Sequence, residues 1–448
     1  MFKSLNTKDN ARVVLSVINT MLFVLMFMTT LILFYQTIHY YLNGFTIILI
    51  IYSFLLILFI TIFGGYKLGE ARVIDQALSH GLGFVFSNGL MYFVLCLIAF
   101  GMLSIWPILI LTILECGLAA YLLFIENRYI RDNYPVLRAI AIVGEEHYNV
   151  LDKIDRYKDI LVSVNRRYEA KDIDFDFLDF ILRDVDRVIT VDITHEEKKK
   201  VFKACYDKKI RVYDIPSITD ILFASSDIMH VIDSPILKVN KFGPSALESV
   251  VKRCVDIIGS LILIVLTSPI MLVVAIAIKV QDGGDILFKQ IRLTKDHKEF
   301  MIYKFRSMIM NAEKNTGAVI AKEGDSRITK VGKFIRKTRF DELPQLFNIL
   351  KGDMSFVGPR PERPELHNEI VRTMPEFNYR LVVKAGLTGY AQIYGKYNTT
   401  MKDKLLLDMY YIERYSLIDD IKLLLMTVKI IFVPESSEGF VEEKNKNE

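Results

Sequence analysis

KRCVDIIGSLILIVLTSPIMLVVAIAIKV, residues 252–280, decides how this chain meets a membrane. By length it is a spanning helix, since about 20 apolar residues cross the hydrocarbon. Two features oppose a span. Lys252 and Arg253 stand at one end while Lys279, Lys289 and Arg292 follow the other, so both flanks ask for the same, cytoplasmic, side. Ser268 and Pro269 fall at mid-depth, where proline removes a backbone donor and bends the helix. A re-entrant helix-break-helix over about 255–280, kinked at Ser268 and Pro269, satisfies both facts if protein covers the broken backbone.

Upstream, residues 13–34, 45–63, 84–100 and 106–124 are apolar runs nearly free of charge, each long enough to span as a helix. The first has no small-residue cleavage site and reads as a retained anchor. Basic residues mark one side: Lys3, Lys8 and Arg12 before the first run, Lys67 and Arg72 between the second and third, Arg128, Arg131 and Arg138 after the fourth. The other two connections carry none, so both ends of an expected four-helix transmembrane bundle, residues 1–132, face the cytoplasm. Composition agrees: 448 residues, 52% hydrophobic, mean hydropathy +0.30. A net charge of +4 without a basic tract interleaved with aromatics argues against nucleic acid as a partner. The four cysteines lack metal-ligand spacing and read as packing residues.

After the bundle the pattern becomes that of a soluble α/β unit, expected over 133–240. Strand-like runs occur at 138–144, 159–164, 186–192 and 210–216, and Thr194 with Glu197 has capping-box spacing. Alternating strands and helices suggest a small parallel sheet. GEEHYNV (144–150) offers one glycine where a dinucleotide fingerprint needs three, so the unit reads as a degenerate Rossmann-like domain. Residues 417–433 read as an interfacial amphipathic helix, and the polar tail 435–448 as disordered.

RFDELPQLFNILKGDMSFVGPRP, residues 339–361, places Asp341 and Glu342 together. Leu343, Leu346, Phe347 and Leu350 recur at helical spacing, which puts the pair at a helix N-terminus, where acids are ordinary caps. The surroundings favour chemistry. Arg327, Lys330, Lys333, Arg336, Lys337 and Arg339 precede the pair, and Arg360 and Arg363 follow, a density of cations suited to a polyphosphate. These cations are expected to hold Asp341 ionised, as a carboxylate nucleophile needs, and a second carboxylate suits Mg²⁺.

KRCVDIIGS, FKQIRLTKDHKEFMIYKFRSM, the 339–361 stretch, KAGLTGYAQIYG and LLLDMYYIERYSLIDDIKLLLMT, in this order, resemble the bacterial sugar transferase family over about 245–434. The bundle and degenerate Rossmann-like unit ahead of them look like its long-form members, which initiate exopolysaccharide, capsule or O-antigen assembly. The resemblance implies a mainly α-helical monotopic catalytic domain with a re-entrant membrane helix, on the cytoplasmic face of a bacterial inner membrane. It implies a phosphoglycosyl transferase that moves a sugar-1-phosphate from a UDP-sugar to polyprenyl phosphate through a phosphosugar-aspartate, releasing UMP. Carried over by motif, Asp341 is the nucleophile and Glu342 the Mg²⁺ ligand. Arg336, Arg360 with Pro359, Pro361 and Arg363 of the same segment, and Asp408 would bind substrate. The family often has proline where this chain has Ala385, and glycine where it has Thr294 and His297.

Two other readings stay open: a non-catalytic membrane scaffold or sensor, and a glycosyltransferase releasing UDP. The bundle with its α/β unit could support a homodimer. Neither the sugar nor a ligand for the Rossmann-like unit is legible.

Overall fold

The computed structural model describes residues 2–36, 38, 43–134, 137–144, 162–231, 233–239, 243–310, 325, 327–395 and 399–431. The chain forms two compact units, Met1–Ile215 and Pro216–Glu448. The polar tail, residues 145–150 and the first part of the expected second strand lie outside the described residues.

The first unit opens with α1 (Phe2–Phe34), α2 (Gly44–Phe63), α3 (Val73–Ile98) and α4 (Trp106–Asn133). They are apolar nearly all round, as lipid-facing helices are, and Val13, Phe54, Phe93 and Ile113 remain exposed. Inside, Phe27 stacks on Tyr52 at 3.8 Å among Phe23, Leu56, Phe84 and Met91. Helix α3 begins well before residue 84, where hydropathy started it, and α4 continues to Asn133. The reason is polar pairing inside: Asn127 donates to Gln76 at 3.0 Å, Asn19 to Glu126 at 3.0 Å, and Tyr52 and Asn88 to Glu115 at 2.8 and 2.7 Å. Satisfied groups of this kind belong in a helix core but depress a hydropathy window.

Strands β1 (Leu137–Val143), β2 (Val162–Glu169), β3 (Arg187–Val191) and β4 (Arg211–Ile215) form the expected parallel sheet, in the order β2-β1-β3-β4. Helices α5 (Phe175–Ile181) and α6 (His195–Asp207) connect them, the latter opened by the expected Thr194–Glu197 capping box. Ile140, Ile142, Val188 and Val201 make one core and Ala141, Ile189 and Val191 a second, so the sheet buries both faces.

The second unit begins with α7 (Ile218–Ala224), and the limit expected near residue 240 falls inside this unit. Ile221 of α7 is buried with Phe300, Leu346, Phe356 and Leu405. The hairpin β5 (Asp227–Val231) and β6 (Ser234–Lys238) follows, with Ile228, Ile236 and Leu237 exposed. Helix α8 (Ala246–Asp282) is capped by a Ser245–Glu248 box and contains Pro269. The expected break is not seen, because the helix continues through the proline. Backbone accounting explains how. Proline at 269 cannot donate to the carbonyl of Val265, and the Ser268 hydroxyl donates to that oxygen instead at 2.8 Å.

The rest is β7 (Leu287–Leu293), β8 (Glu299–Phe305), α9 (Lys330–Lys337), a 3₁₀ turn Phe340–Glu342, α10 (Gln345–Lys351), β9 (Met354–Val357), α11 (Pro364–Thr373), β10 (Ala385–Thr388), α12 (Tyr390–Ile393), α13 (Met401–Glu413) and α14 (Leu417–Ile431). Both ends of α8 are tied to this mixed domain. Arg253 donates to the carbonyls of Ile349 and Leu350 at 2.7 Å each, capping α10, and Asp256 accepts from Ser355 Oγ and the Phe356 amide at 3.0 Å. Asp256 is therefore buried and bonded to β9. At the other end Val274 and Ile278 pack on Phe305 and Ile335, and Asp282 pairs with Arg306. Asp420 of α14 also departs from the amphipathic reading: it is buried, with Lys252 and Tyr411 on its carboxylate.

Candidate active site

Asp341 and Glu342 sit in the 3₁₀ turn, entered through Arg339 at φ 60°. They do not cap α10, whose N-cap is Pro344 without a side-chain bond. The turn also shifts the helix register: Leu346 and Ile349 are buried, whereas Phe347, expected inside, is 46% exposed. Neighbouring Asn348 fixes α10 against β8, donating to Met301 O at 2.7 Å and accepting from the Tyr303 amide at 3.0 Å. That bond sets Glu342 opposite Lys304.

Lys304 Nζ and Arg360 Nη2 both reach Glu342 Oε1, at 3.0 and 3.1 Å. Burial opposes the charge on Glu342, but Lys304 and Arg360 outweigh it and hold the carboxyl well below its usual range. Asp341 is the contrast. It is 9% exposed, and its Oδ1 is buried without a hydrogen-bond partner among the described residues. Burial and then the neighbouring Glu342 charge push its carboxyl up to about 6, against Lys304, Arg336 and Arg339. Burial outweighs the surrounding cations, so they hold Asp341 ionised less firmly than expected. Asp341 nonetheless remains mostly ionised at neutral pH.

A buried carboxylate oxygen without a donor beside a second carboxylate fits a hard cation. Among the described residues no group of three or more His, Cys, Asp and Glu side chains could hold a metal. Mg²⁺ held by one or two carboxylates draws its remaining ligands from phosphate and water, so the pair is compatible with it.

The other expected positions divide. Arg336, at the end of α9, acts on Asp341 by charge, and Arg360 is in contact with Glu342. Pro359 and Pro361 are buried, and their carbonyls accept from the Gly386 amide at 2.9 Å and Arg292 Nη1 at 3.1 Å, so they shape the loop. Gly358 ahead of them is forced: an added Cβ would lie 2.4 Å from Lys384 O. Arg363 precedes α11 as its N-cap. Asp408 does not face the pair. It is fully buried and takes Arg380 Nε at 2.7 Å, while Arg380 Nη2 donates to Arg360 O at 3.0 Å. Asp408 is thereby linked through Arg380 to the Arg360 backbone. Lys304 and Arg380 went unassigned in the sequence. A lone lysine inside the apolar strand EFMIYKF was the available signal for the first, and Arg380 carried none.

These features define a membrane-associated domain with a paired-carboxylate, cation-lined centre. Residues 247–434 match the family described as bacterial sugar transferase. The chain is 40% identical over 238 residues to a UDP-N-acetylgalactosamine-undecaprenyl-phosphate N-acetylgalactosaminephosphotransferase of Aeromonas hydrophila, covering 52% of this chain and 55% of that protein. It is 36% identical over 245 residues to a UDP-glucose:undecaprenyl-phosphate glucose-1-phosphate transferase of Klebsiella pneumoniae (53% and 52% covered). With an undecaprenyl-phosphate galactose phosphotransferase of Salmonella typhimurium it shares 37% over 194 residues (40% of each chain). The chain spans about half the length of these curated relatives.

Proposed function

We propose that this protein is a phosphoglycosyl transferase that moves a sugar-1-phosphate from a UDP-sugar to polyprenyl phosphate and so initiates a bacterial exopolysaccharide, capsule or O-antigen. The observation that carries the reading is the unequal carboxylate pair: Glu342 saturated by Lys304 and Arg360, Asp341 buried with a free oxygen. Asp341 attacks the sugar-bearing phosphorus. The new bond is Asp341 O–P, and the diphosphate P–O bond breaks to release UMP. An oxygen of polyprenyl phosphate then attacks the same phosphorus and frees Asp341. Arg336 and Arg360 neutralise phosphate oxygens, with Arg380 and Asp408 holding the Arg360 backbone. Glu342 would hold Mg²⁺, which would supply charge neutralisation at the diphosphate.

The re-entrant placement of α8 belongs to the same proposal. Both of its ends bond to one domain, while Leu261, Ile262, Val265, Leu266, Leu272 and Val273 between them are exposed and apolar. Together with the basic flanks, this supports a catalytic domain on the cytoplasmic face of the inner membrane with the apolar middle of α8 in lipid. The N-terminal helices would anchor it as a four-helix bundle, and a second copy is a partner that the exposed β5–β6 hairpin would accommodate. The domains are read as 1–132, 133–240 and 245–434, with α7 of the second packing into the core of the third.

Membranes containing the protein, given a panel of UDP-sugars, Mg²⁺ and polyprenyl phosphate, test the reading. UMP from a donor, absent with Asp341→Asn, is expected. UDP would overturn it in favour of glycosyl transfer, and unchanged nucleotide release by Asp341→Asn would sink Asp341 as nucleophile.

A further inference from the structure

Within the first unit, away from the carboxylate pair, three arginines converge. Arg187 and Arg211 open β3 and β4 and are direct register partners across the parallel pair. Like charges so placed repel. Arg12 of α1 joins them, and the charges of Arg211, Glu70, Asp9 and Arg12 all act on Arg187. The two carboxylates do not complete the pairing. Arg12 Nη1 takes Asp9 at 3.2 Å and Glu70 at 2.9 Å, and Arg211 lies 3.8 Å from Asp9. Among the described residues, Arg12 Nε and Nη2 and Arg187 Nε are buried with no acceptor. Arg187 is 9% exposed, and its guanidinium lies over the Tyr213 ring at 5.0 Å, which serves a face and leaves the edge donors unsatisfied.

A buried guanidinium edge without an acceptor is costly, and several converging edges present planar forks that match a tetrahedral oxyanion. The cluster also stands at the basic end of the apolar helices: Arg12 lies in the first turns of α1, Glu70 in the α2–α3 connection beside Lys67 and Arg72. Anionic headgroups lie at that depth of a cytoplasmic leaflet. We propose that Arg12, Arg187 and Arg211 form a binding site for a phosphate group at the membrane surface, joining the α/β sheet to the helices that anchor it. The chemistry is a phosphate monoester or diester, and its source is a lipid headgroup or soluble phosphate. This site rests on the first unit alone and stands independently of the transfer reaction.

The test uses the full chain. Native mass spectrometry after exchange from phosphatidylcholine nanodiscs into nanodiscs containing phosphatidylglycerol reads lipid retention. Thermal unfolding in detergent with and without inorganic phosphate, against equal ionic strength of chloride, reads the soluble source. Retained phosphatidylglycerol, reduced tenfold or more in Arg187→Gln and Arg12→Gln, is expected if the source is lipid. Stabilisation by inorganic phosphate over chloride, lost in the same variants, is expected if it is soluble. Arg211→Gln, at a side chain 66% exposed, keeps the test decisive if the buried variants fail to fold, with a several-fold loss expected. Wild-type protein that responds to neither probe, or variants that respond as wild type does, would overturn the site.

Discussion

The amide of Ala385 donates to Oγ1 of Thr294 at 3.1 Å, and the same hydroxyl donates to Asp353 O at 2.8 Å. These are two of the positions at which the sequence departs from the motifs it resembles. A proline at 385 has no amide to give, and a glycine at 294 has no hydroxyl to receive it. Ala385 and Thr294 are therefore linked by one buried hydrogen bond that proline and glycine at these positions could not make.

A double-mutant cycle checks this. Ala385→Pro alone leaves the Thr294 hydroxyl short of a donor and should cost roughly 1–2 kcal/mol, and Thr294→Gly alone a similar amount. The double variant should lose less than the sum of the two, by about 1 kcal/mol in urea unfolding. Strict additivity would show that the bond does not couple the sites.

The titration of Asp341 gives a prediction in which activity and stability oppose each other. Its carboxyl is raised from 3.8 to about 6, so the protonated form favours folding. That contribution is fully present below about 3.8 and is lost as pH rises through about 6. Asp341→Asn should therefore unfold at higher temperature than the parent above pH 6, by on the order of 1–3 kcal/mol, and lose this advantage toward pH 4. Nucleotide release by the parent should fall as pH drops below about 6. Melting curves of parent and variant that coincide from about pH 4 to about pH 8 would count against a buried ionised Asp341.

Sequence patterning exposed much of this architecture, for identifiable reasons. The parallel sheet and the capping boxes rest on local rules, and they appear at Arg187–Val191, Arg211–Ile215 and Thr194. The start of α3 was hidden because Gln76 and His80 are polar residues that find their hydrogen-bond partners only in the folded chain. Asp341, Glu342 and Arg360 were visible as a charged motif, yet their electrostatics were not: which carboxylate receives Lys304 depends on Asn348 docking α10 to β8, a long-range contact. His297 is a local case. Its φ of 58° is a left-handed backbone of the kind that glycine adopts freely, a feature the residue type does not announce.

Asp408 tests whether a buried pair can act at a distance. Asp408→Asn leaves Arg380 charged and without its carboxylate in the core, which should cost about 3–5 kcal/mol and weaken substrate use by releasing the Arg360 backbone. Replacing both partners, Arg380→Met with Asp408→Leu, should restore part of the stability but not the activity, since Arg360 O still lacks its donor. Recovery of both would assign the pair a purely packing role.

Ser268 and Pro269 act as a unit in α8. The proline withholds a donor from Val265 O, and the serine hydroxyl supplies it. In hydrocarbon an unpaired carbonyl costs several kcal/mol, so Ser268→Ala should destabilise the protein in membranes more than in water-rich detergent. Pro269→Ala returns a backbone amide at the right position, and Ser268→Ala/Pro269→Ala should therefore be more stable than Ser268→Ala alone. The same helix decides membrane placement. In a chain whose exposed Cys254 is replaced by serine, Leu247→Cys and Val280→Cys flank the apolar middle at 75% and 81% exposure. A membrane-impermeant maleimide should label both from the cytoplasmic side. Labelling from opposite sides would make α8 a fifth span, and its two attachments to one domain, Arg253 to Ile349 and Asp282 to Arg306, could not both persist.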